Sequence, residues 1–422
     1  MIKNFMDDIS IADPDIHQVL IDELDRGRQG LEMIASENYV SKAILQTNGS
    51  VLTNKYSEGY PSKRYYGGNE YIDVAENLAI DRAKELFGVD FANVQPHSGS
   101  QANMEAYFAI LDLGDSILSM QLDHGGHLTH GHKVSFSGKF YDFSFYGVDK
   151  ETHLLNMDDV MKKAKEVKPK VILTGYSAYS REIDFKAFRE IADEVDALLM
   201  ADIAHIAGLV AGKEHMNPAP YCDVITTTTH KTLRGPRGAM IMGKEEFEVP
   251  VAKSVFPGMQ GGPMDMIIAG KAVCFKEALG PEFKEYAKNI KKNARALADS
   301  LQENGTQIVS GGTDNHLILI DLSNYNLGGK LAENTMDEVG IFANKNMIPF
   351  DTRSPFDPSG IRLGTAALTT RGLGVNEMKE IGELISKTLS NTENPKILNA
   401  IEASVRQICD LHPLYPGFDL LK

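Results

Sequence analysis

Residues 226–238, "TTTTHKTLRGPRG", bring one lysine, Lys231, to the end of a β-branched run and just ahead of a glycine- and arginine-rich turn. An amine that attacks carbonyls must be held at a pocket edge and partly desolvated, so that its neutral form is reachable. Arg234 and Arg237 stand close enough in sequence to oppose its charge. On this segment alone, a lysine that merely ends a strand explains the same residues. Asp202 adds a second group: it follows the apolar stretch Ala197–Ala201, where a buried carboxylate needs a cationic partner. A protonated pyridine nitrogen is such a partner, and an aspartate there makes pyridoxal phosphate an electron sink. A cap for a helix in 203–210 is the plainer reading of the same residue.

Three further segments carry chemistry. In "PHSGSQANMEAYFAIL" a Gly/Ser turn opens an apolar helix, so Ser98, Gly99 and Ser100 face the helix N-terminus, where a phosphate binds. Ser98 also fits an ordinary N-cap. No Walker loop and no G-x-G-x-x-G after a strand is present, which disfavours nucleotides. "LDHGGHLTHGHKV" holds His124, His127, His130 and His132. Without nearby cysteine they match no familiar zinc spacing, so no metal is expected, and a flat imidazole covering a planar ring is the alternative. Arg362, between Gly360 and Gly364, has room for a bidentate carboxylate contact; an interdomain salt bridge accounts for it equally. Taken together, a lysine, a carboxylate, a phosphate turn, a stacking imidazole and a carboxylate-binding arginine are the parts of a pyridoxal-phosphate enzyme acting on an amino acid.

These groups need a frame. Apolar β-branched runs alternate with helical patterns, as in an α/β domain with a mostly parallel sheet. A strand is predicted from about Lys170 to Thr174, then an amphipathic helix over 185–196 with Phe185, Phe188, Ile191, Ala192 and Val195 on one stripe. Strands follow in 197–205 and 222–231, the last including Thr226–Thr229 with inward hydroxyls toward the cofactor side. Their ends deliver Tyr176 and Ser177, Asp202 and His205, and His230 and Lys231 to the carboxyl edge, where open α/β sheets bind ligands. A long helix from near Pro281 leads to a smaller α+β domain with a strand in 315–322 and a helix over 375–390.

Composition narrows the class. A formal charge of −15 argues against general nucleic-acid affinity. The basic stretches "YPSKRYYGG" and "HKTLRGPRG" read as small-anion pockets or as solvated faces. No run is long enough to span a bilayer, and the acidic, amphipathic N-terminus fits neither a secretory signal nor a transit peptide. Cys222, Cys274 and Cys409 are scattered, so a reduced, cytoplasmic protein is expected.

In order along the chain, "LEMIASENYVS", "LTNKYSEGYPSKRYYGGNEYID", "ANVQPHSGSQAN", "HGGHLTHG", "DIAHIAGLVAG", "TTTTHKTLRGPRG", "VFPGMQGGP", "SGGTDNHL" and "SGIRLGT" resemble serine hydroxymethyltransferases. The resemblance implies the α/β, fold-type I pyridoxal-phosphate transferase architecture. This comprises an N-terminal arm (1–30), a large domain with a mostly parallel seven-stranded sheet (31–280) and a smaller α+β domain (281–422). It also implies a homodimer with shared active sites, and reversible interconversion of serine and glycine with one-carbon transfer to and from tetrahydrofolate. By the same resemblance Lys231 carries the cofactor covalently, Asp202 pairs with its ring nitrogen, His205 lies near its phenolic oxygen and His127 stacks on its ring. Ser98, Gly99 and Ser100 hold the phosphate, Ser177 and Arg237 line the pocket, and Tyr56 and Gly262 reach in from the other subunit. Ser36, His230 and Arg362 orient the substrate, with Arg362 on its carboxylate; Glu58 and Tyr66, also from the other subunit, bind it and handle protons. Leu122, Gly126, His127, Leu128, Asn346, Ser354, Pro355 and Phe356 match the folate-contacting segments.

The chain departs from the family pattern at Asp265-Met266, Phe350, Asp357-Pro358, Ala366 and Ala239. Several of these flank the pterin segments, leaving folate or a modified pterin as the carrier. A folate-independent aldolase or α-methylserine transferase is a rival reading within the class. A regulatory or RNA-binding protein that binds pyridoxal phosphate is a second; the acidic charge and the intact Lys231, Asp202 and Arg362 run against it.

Overall fold

The computed structural model describes residues 7–417. The first six residues of the expected arm and the last five of the C-terminal segment lie outside the described residues. Seven strands form the main sheet: β1 Phe91–Asn93, β2 Ser116–Met120, β3 Asp142–Tyr146, β4 Val171–Thr174, β5 Leu198–Asp202, β6 Val224–Thr228 and β7 Ala239–Gly243. Their spatial order is β1-β7-β6-β5-β4-β2-β3. All pairings are parallel except those of β7, which runs antiparallel to β1 and β6.

Side chains alternate across a strand, so each strand divides between two cores. Leu118, Ile172, Leu199, Ala201, Ile225 and Met240 face one core. Ile117, Val171, Leu173, Met200, Val224 and Ile241 face the other. Both faces are covered, which is why these strands read as continuous apolar runs. The same period turns Asp202, Thr226 and Thr228 toward the second core, against the helix Gly99–Ile110 whose Ala102, Ala106 and Tyr107 belong to it.

The helix expected over 185–196 is Phe185–Glu194, with Phe185, Phe188, Ile191 and Ala192 buried and Val195 half-buried at its C-terminal cap. One expectation fails locally: Thr229 lies past the end of β6. Its N–H donates to the Gly238 carbonyl at 3.0 Å and its hydroxyl to the Pro236 carbonyl at 2.6 Å, folding the 229–238 loop onto itself. The threonine hydroxyls are likewise spent within the protein, Thr226 on Asn103 Oδ1 at 2.6 Å and Thr227 on the Thr228 carbonyl.

The C-terminal region has its own antiparallel sheet: β8 Gln307–Ile308, β9 Leu317–Asp321, β10 Asn344–Asn346 and β11 Gly360–Gly364, in the order β8-β9-β11-β10. The helix Pro281–Glu303 joins the two cores: Phe283, Tyr286 and Ile290 pack in the large one, Leu297 and Leu301 in the other. Leu31 and Met33 also pack in the C-terminal core, and Leu31–Glu32 pairs in parallel with Ile341–Phe342. Leu31, Met33 and the helix from Pro281 therefore tie the C-terminal core to the rest of the chain.

The helix Gly99–Ile110 begins tightly against β6: a Cβ on Gly99 would stand 2.7 Å from Thr228 Cγ2. Gly99→Ala is expected to destabilise the fold by about 1–3 kcal/mol through overpacking, measured by urea unfolding. An unchanged midpoint and slope would show that the helix start has slack.

Candidate active site

Adjacent strands β4, β5 and β6 end side by side, and a cavity of about 270 Å³ opens at their carboxyl ends. Ser36, Ser98, Gly99, Ser100, His127, Ser177, Asp202, His205, His230, Lys231 and Arg237 line it, together with His130, Tyr176, Ala204 and Thr228. Ser98 caps the helix, its Oγ accepting from Gln101 N at 3.3 Å, and also forms cavity wall; the capping and binding readings coexist.

Lys231 is buried, and burial pulls its ammonium down to about 8; Asp202 opposes the shift, while Arg362 and Arg237 add to it. Arg234 takes no part in this. At φ 63° it turns away and lies over Tyr286, 4.5 Å from the ring centroid, and Phe283, at 5.7 Å. The expected pair of opposing arginines is thus Arg237 with the distant Arg362.

Burial would raise the Asp202 carboxyl, but the hydrogen bonds from His130 and Asn103 outweigh it and hold the group below the carboxylate range. Asp202 Oδ2 accepts from Asn103 Nδ2 at 2.9 Å and lies 3.2 Å from His130 Nε2. His130 Nδ1 accepts from His127 N at 3.4 Å, which leaves the ring proton on Nε2, facing the carboxylate. Asp202 Oδ1 accepts from Ala204 N at 3.0 Å, so Asp202 braces a turn, whereas the next helix begins only at Ala207.

Burial keeps the other imidazoles neutral. It lowers His127 to about 4 and His230 to about 3, and holds His205 well below its ordinary value. His205 Nδ1 is 3.3 Å from His316 Nε2, with the rings stacked at 5.5 Å. The four loop histidines have separate partners: His124 Nδ1 accepts from Val148 N, His127 Nδ1 from Thr129 N and His132 Nδ1 from Val134 N, while His130 faces Asp202.

Arg362 arrives from β11, opposite Leu319 and Asn344. Its Nη1 donates to the Ser177 carbonyl at 2.8 Å and its Nε to Asn344 Oδ1 at 3.1 Å. It does cross between domains, yet among the described residues it meets no carboxylate at ion-pair distance, which removes the interdomain salt bridge. Burial lowers it to about 10.

The remaining expected residues lie elsewhere in the protomer. Tyr56 packs on Gly262, its hydroxyl 3.3 Å from Glu58 Oε1, and Tyr66 meets it edge-on at 5.1 Å. Leu122 and Leu128 are partly exposed; Leu122 lines a second cleft, of about 260 Å³, that shares His127 and His130 with the first site. At Gly126 a Cβ would run into the Met120 carbonyl. Asn346 donates to the Met347 carbonyl at 2.6 Å, while Ser354, Pro355 and Phe356 form an exposed turn that lines neither cavity. Phe350, at φ 61°, links the two segments by resting 4.5 Å from the His124 ring.

The sequence motifs assign nothing to Asn103 and do not single out His130 among its three neighbouring histidines. Asn103 was findable, because it stands one helical turn after Gly99 and shares its face. The contact of His130 with Asp202 depends on a loop path that no periodicity reports.

These residues fit pyridoxal phosphate. His230 Nδ1 is buried without a protein partner, Gly99 leaves a cradle at a helix N-terminus, and a buried amine of lowered basicity shares the cavity with an ionised carboxylate. A family model described as serine hydroxymethyltransferase matches residues 9–385 of the 422. Its chemistry is the reversible interconversion of serine and glycine on pyridoxal phosphate, with the one-carbon unit passing to and from tetrahydrofolate. The match covers most of the chain, both sheets and the whole lining of the cavity: the chain belongs to the serine hydroxymethyltransferase family.

Proposed function

We propose that the cavity at the ends of β4–β6 performs the family's reaction with the following division of labour. The observation that carries this reading is a buried Lys231 of lowered basicity facing Asp202, with Arg362 nearby and lacking an acid. Bound at Lys231, pyridoxal phosphate supplies an electron-withdrawing ring that disperses negative charge at the substrate α-carbon. Asp202 holds the proton on the ring nitrogen, and Asn103 and His130 orient that carboxylate. Ser98, Gly99 and Ser100 receive the phosphate at the helix N-terminus. His127 offers a flat, neutral face, and His205 lies toward the phenolic oxygen. Arg362 takes the amino-acid carboxylate, with Ser36 and His230 orienting the rest.

Glu58 and Tyr66 act on the substrate of a second protomer, Glu58 moving the proton at the hydroxymethyl oxygen. Two observations support a homodimer with shared sites: neither residue lines its own cavity, and Tyr66 is exposed in edge-on contact with the exposed Tyr56, whose hydroxyl meets Glu58. Tyr56 and Gly262 belong to the same shared edge. Leu122, Gly126, Leu128 and Asn346, with the 354–356 turn, form the rim for tetrahydrofolate. A cytoplasmic location accords with three buried cysteines that form no disulfide, and no described helix is long and apolar enough to cross a membrane.

Lys231→Ala should leave no cofactor on the protein after borohydride reduction, read as an unshifted intact mass. In the wild type, the neutral amine is the nucleophile, and burial makes its ammonium form more acidic, down to about 8. The rate of cofactor capture by apoprotein should therefore rise with pH and level off above about 8, and a rise that continues to the ordinary lysine range would contradict this. Arg362→Ala should raise the KM for serine about 10- to 100-fold with a smaller change in kcat, since a charged hydrogen-bond partner is lost. An unchanged KM in steady-state assays would assign the carboxylate to another cation.

A further inference from the structure

The hairpin that carries Glu58 is wired from beneath by one buried arginine. Gly59–Tyr60 pairs with Lys63–Arg64, and the Arg64 side chain, only 4% exposed, folds back under the strand. Its Nη1 donates to the carbonyls of Ser57 and Gly59, both at 2.9 Å. Those two carbonyls flank Glu58. Arg64 is itself pinned, by Asp73 Oδ1 on Nε at 2.8 Å and by Glu76 Oε2 on Nη2 at 2.5 Å.

The neighbours of this clamp are wired too. Gln95 Nε2 donates to the Gly59 carbonyl at 3.0 Å and to Glu76 Oε1 at 2.8 Å, and Asp73 Oδ2 accepts from Ser62 N at 2.8 Å. On the other side, Ser57 Oγ donates to the buried Asp265 at 2.6 Å. By contrast, among the described residues the Glu58 carboxylate accepts from the Tyr56 hydroxyl alone. Its direction is therefore set by the backbone on either side. A buried cation with two acids costs more desolvation than a two-residue hairpin needs. Holding one side chain to a fraction of an ångström is a use that fits that cost.

We infer that Arg64 is a positioning residue for Glu58: by clamping the carbonyls of residues 57 and 59 it aims the Glu58 carboxylate at the substrate. The inference rests on the proton-handling role proposed for Glu58.

The test is a double-mutant cycle in the holoenzyme, with Arg64→Lys and Glu58→Gln alone and combined. Lysine keeps the charge but cannot span both carbonyls and both acids. Arg64→Lys should lower kcat for folate-dependent transfer about 10- to 100-fold, as displaced catalytic groups do. The glycine Kd from titration should stay unchanged. Glu58→Gln alone should lower transfer by roughly 100-fold while sparing glycine binding. In that background Arg64→Lys should add less than about a twofold effect.

An equal loss in both backgrounds would make Arg64 a purely structural residue and overturn the inference, as would wild-type transfer in Arg64→Lys. Wild-type transfer in Glu58→Gln would instead remove the role of Glu58, and the clamp's purpose with it. If Arg64→Lys does not fold, Asp73→Asn weakens the same clamp from its more exposed side and is judged by the same cycle.

Discussion

A carboxylate that stays ionised at the floor of a buried cavity is the constraint around which the large domain is arranged. Burial alone would drive Asp202 toward its neutral form, and only donors already in place prevent it. Those donors come from three directions: Asn103 on the helix behind β5 and β6, His130 on the loop after β2, and the Ala204 amide just beyond the strand. Each needs its own element at close range, so the charge of one side chain fixes where a helix and a loop can sit. Thr226 completes the arrangement by donating to Asn103 Oδ1, which turns the amide's nitrogen toward Asp202. The same helix presents its N-terminus to the cavity at Ser98–Ser100. One rigid element thereby sets both the Asp202 end and the Ser98–Ser100 end of the cavity.

The second theme is positive charge without matching acid. Lys231, Arg237 and Arg362 act on one another, and Asp202 is the acid that the site sets against them. The nearby imidazoles do not add charge at neutral pH, because burial keeps them unprotonated. Such a cavity favours small anions, namely a phosphate and a carboxylate, even though the chain as a whole carries −15. Arg362 ties this chemistry to domain arrangement, since its contact with the Ser177 carbonyl holds β11 against the loop after β4.

The departures from the family pattern take structural roles. Asp265 accepts from Ser57 at the base of the Glu58 hairpin. Asp357 accepts from Lys330 N at the start of the helix Gly329–Glu338, and the Pro358 carbonyl accepts from Gly329 N at 2.7 Å. Phe350 rests on His124 and couples the two rim segments. None of these residues lines the cavity at the ends of β4–β6.

Periodicity and residue chemistry were enough to determine much of this protein. Apolar runs marked β4, β5 and β6, the spacing of Phe185, Phe188 and Ile191 marked a helix, and strand ends named Ser177, Asp202, His205, His230 and Lys231. These features are local, and the parallel α/β frame converts strand order into proximity by rule. Contacts made across long sequence separations were decided only by the tertiary structure. Which arginine opposes Lys231 depends on β11 reaching the large domain, so Arg362 serves while Arg234, three residues away from the lysine, packs on Tyr286. Which histidine serves Asp202 depends on a loop path, and how Glu58 is aimed depends on an arginine folded beneath its own hairpin. A sequence records which groups are available; the direction in which a buried side chain points is set by neighbours that packing supplies.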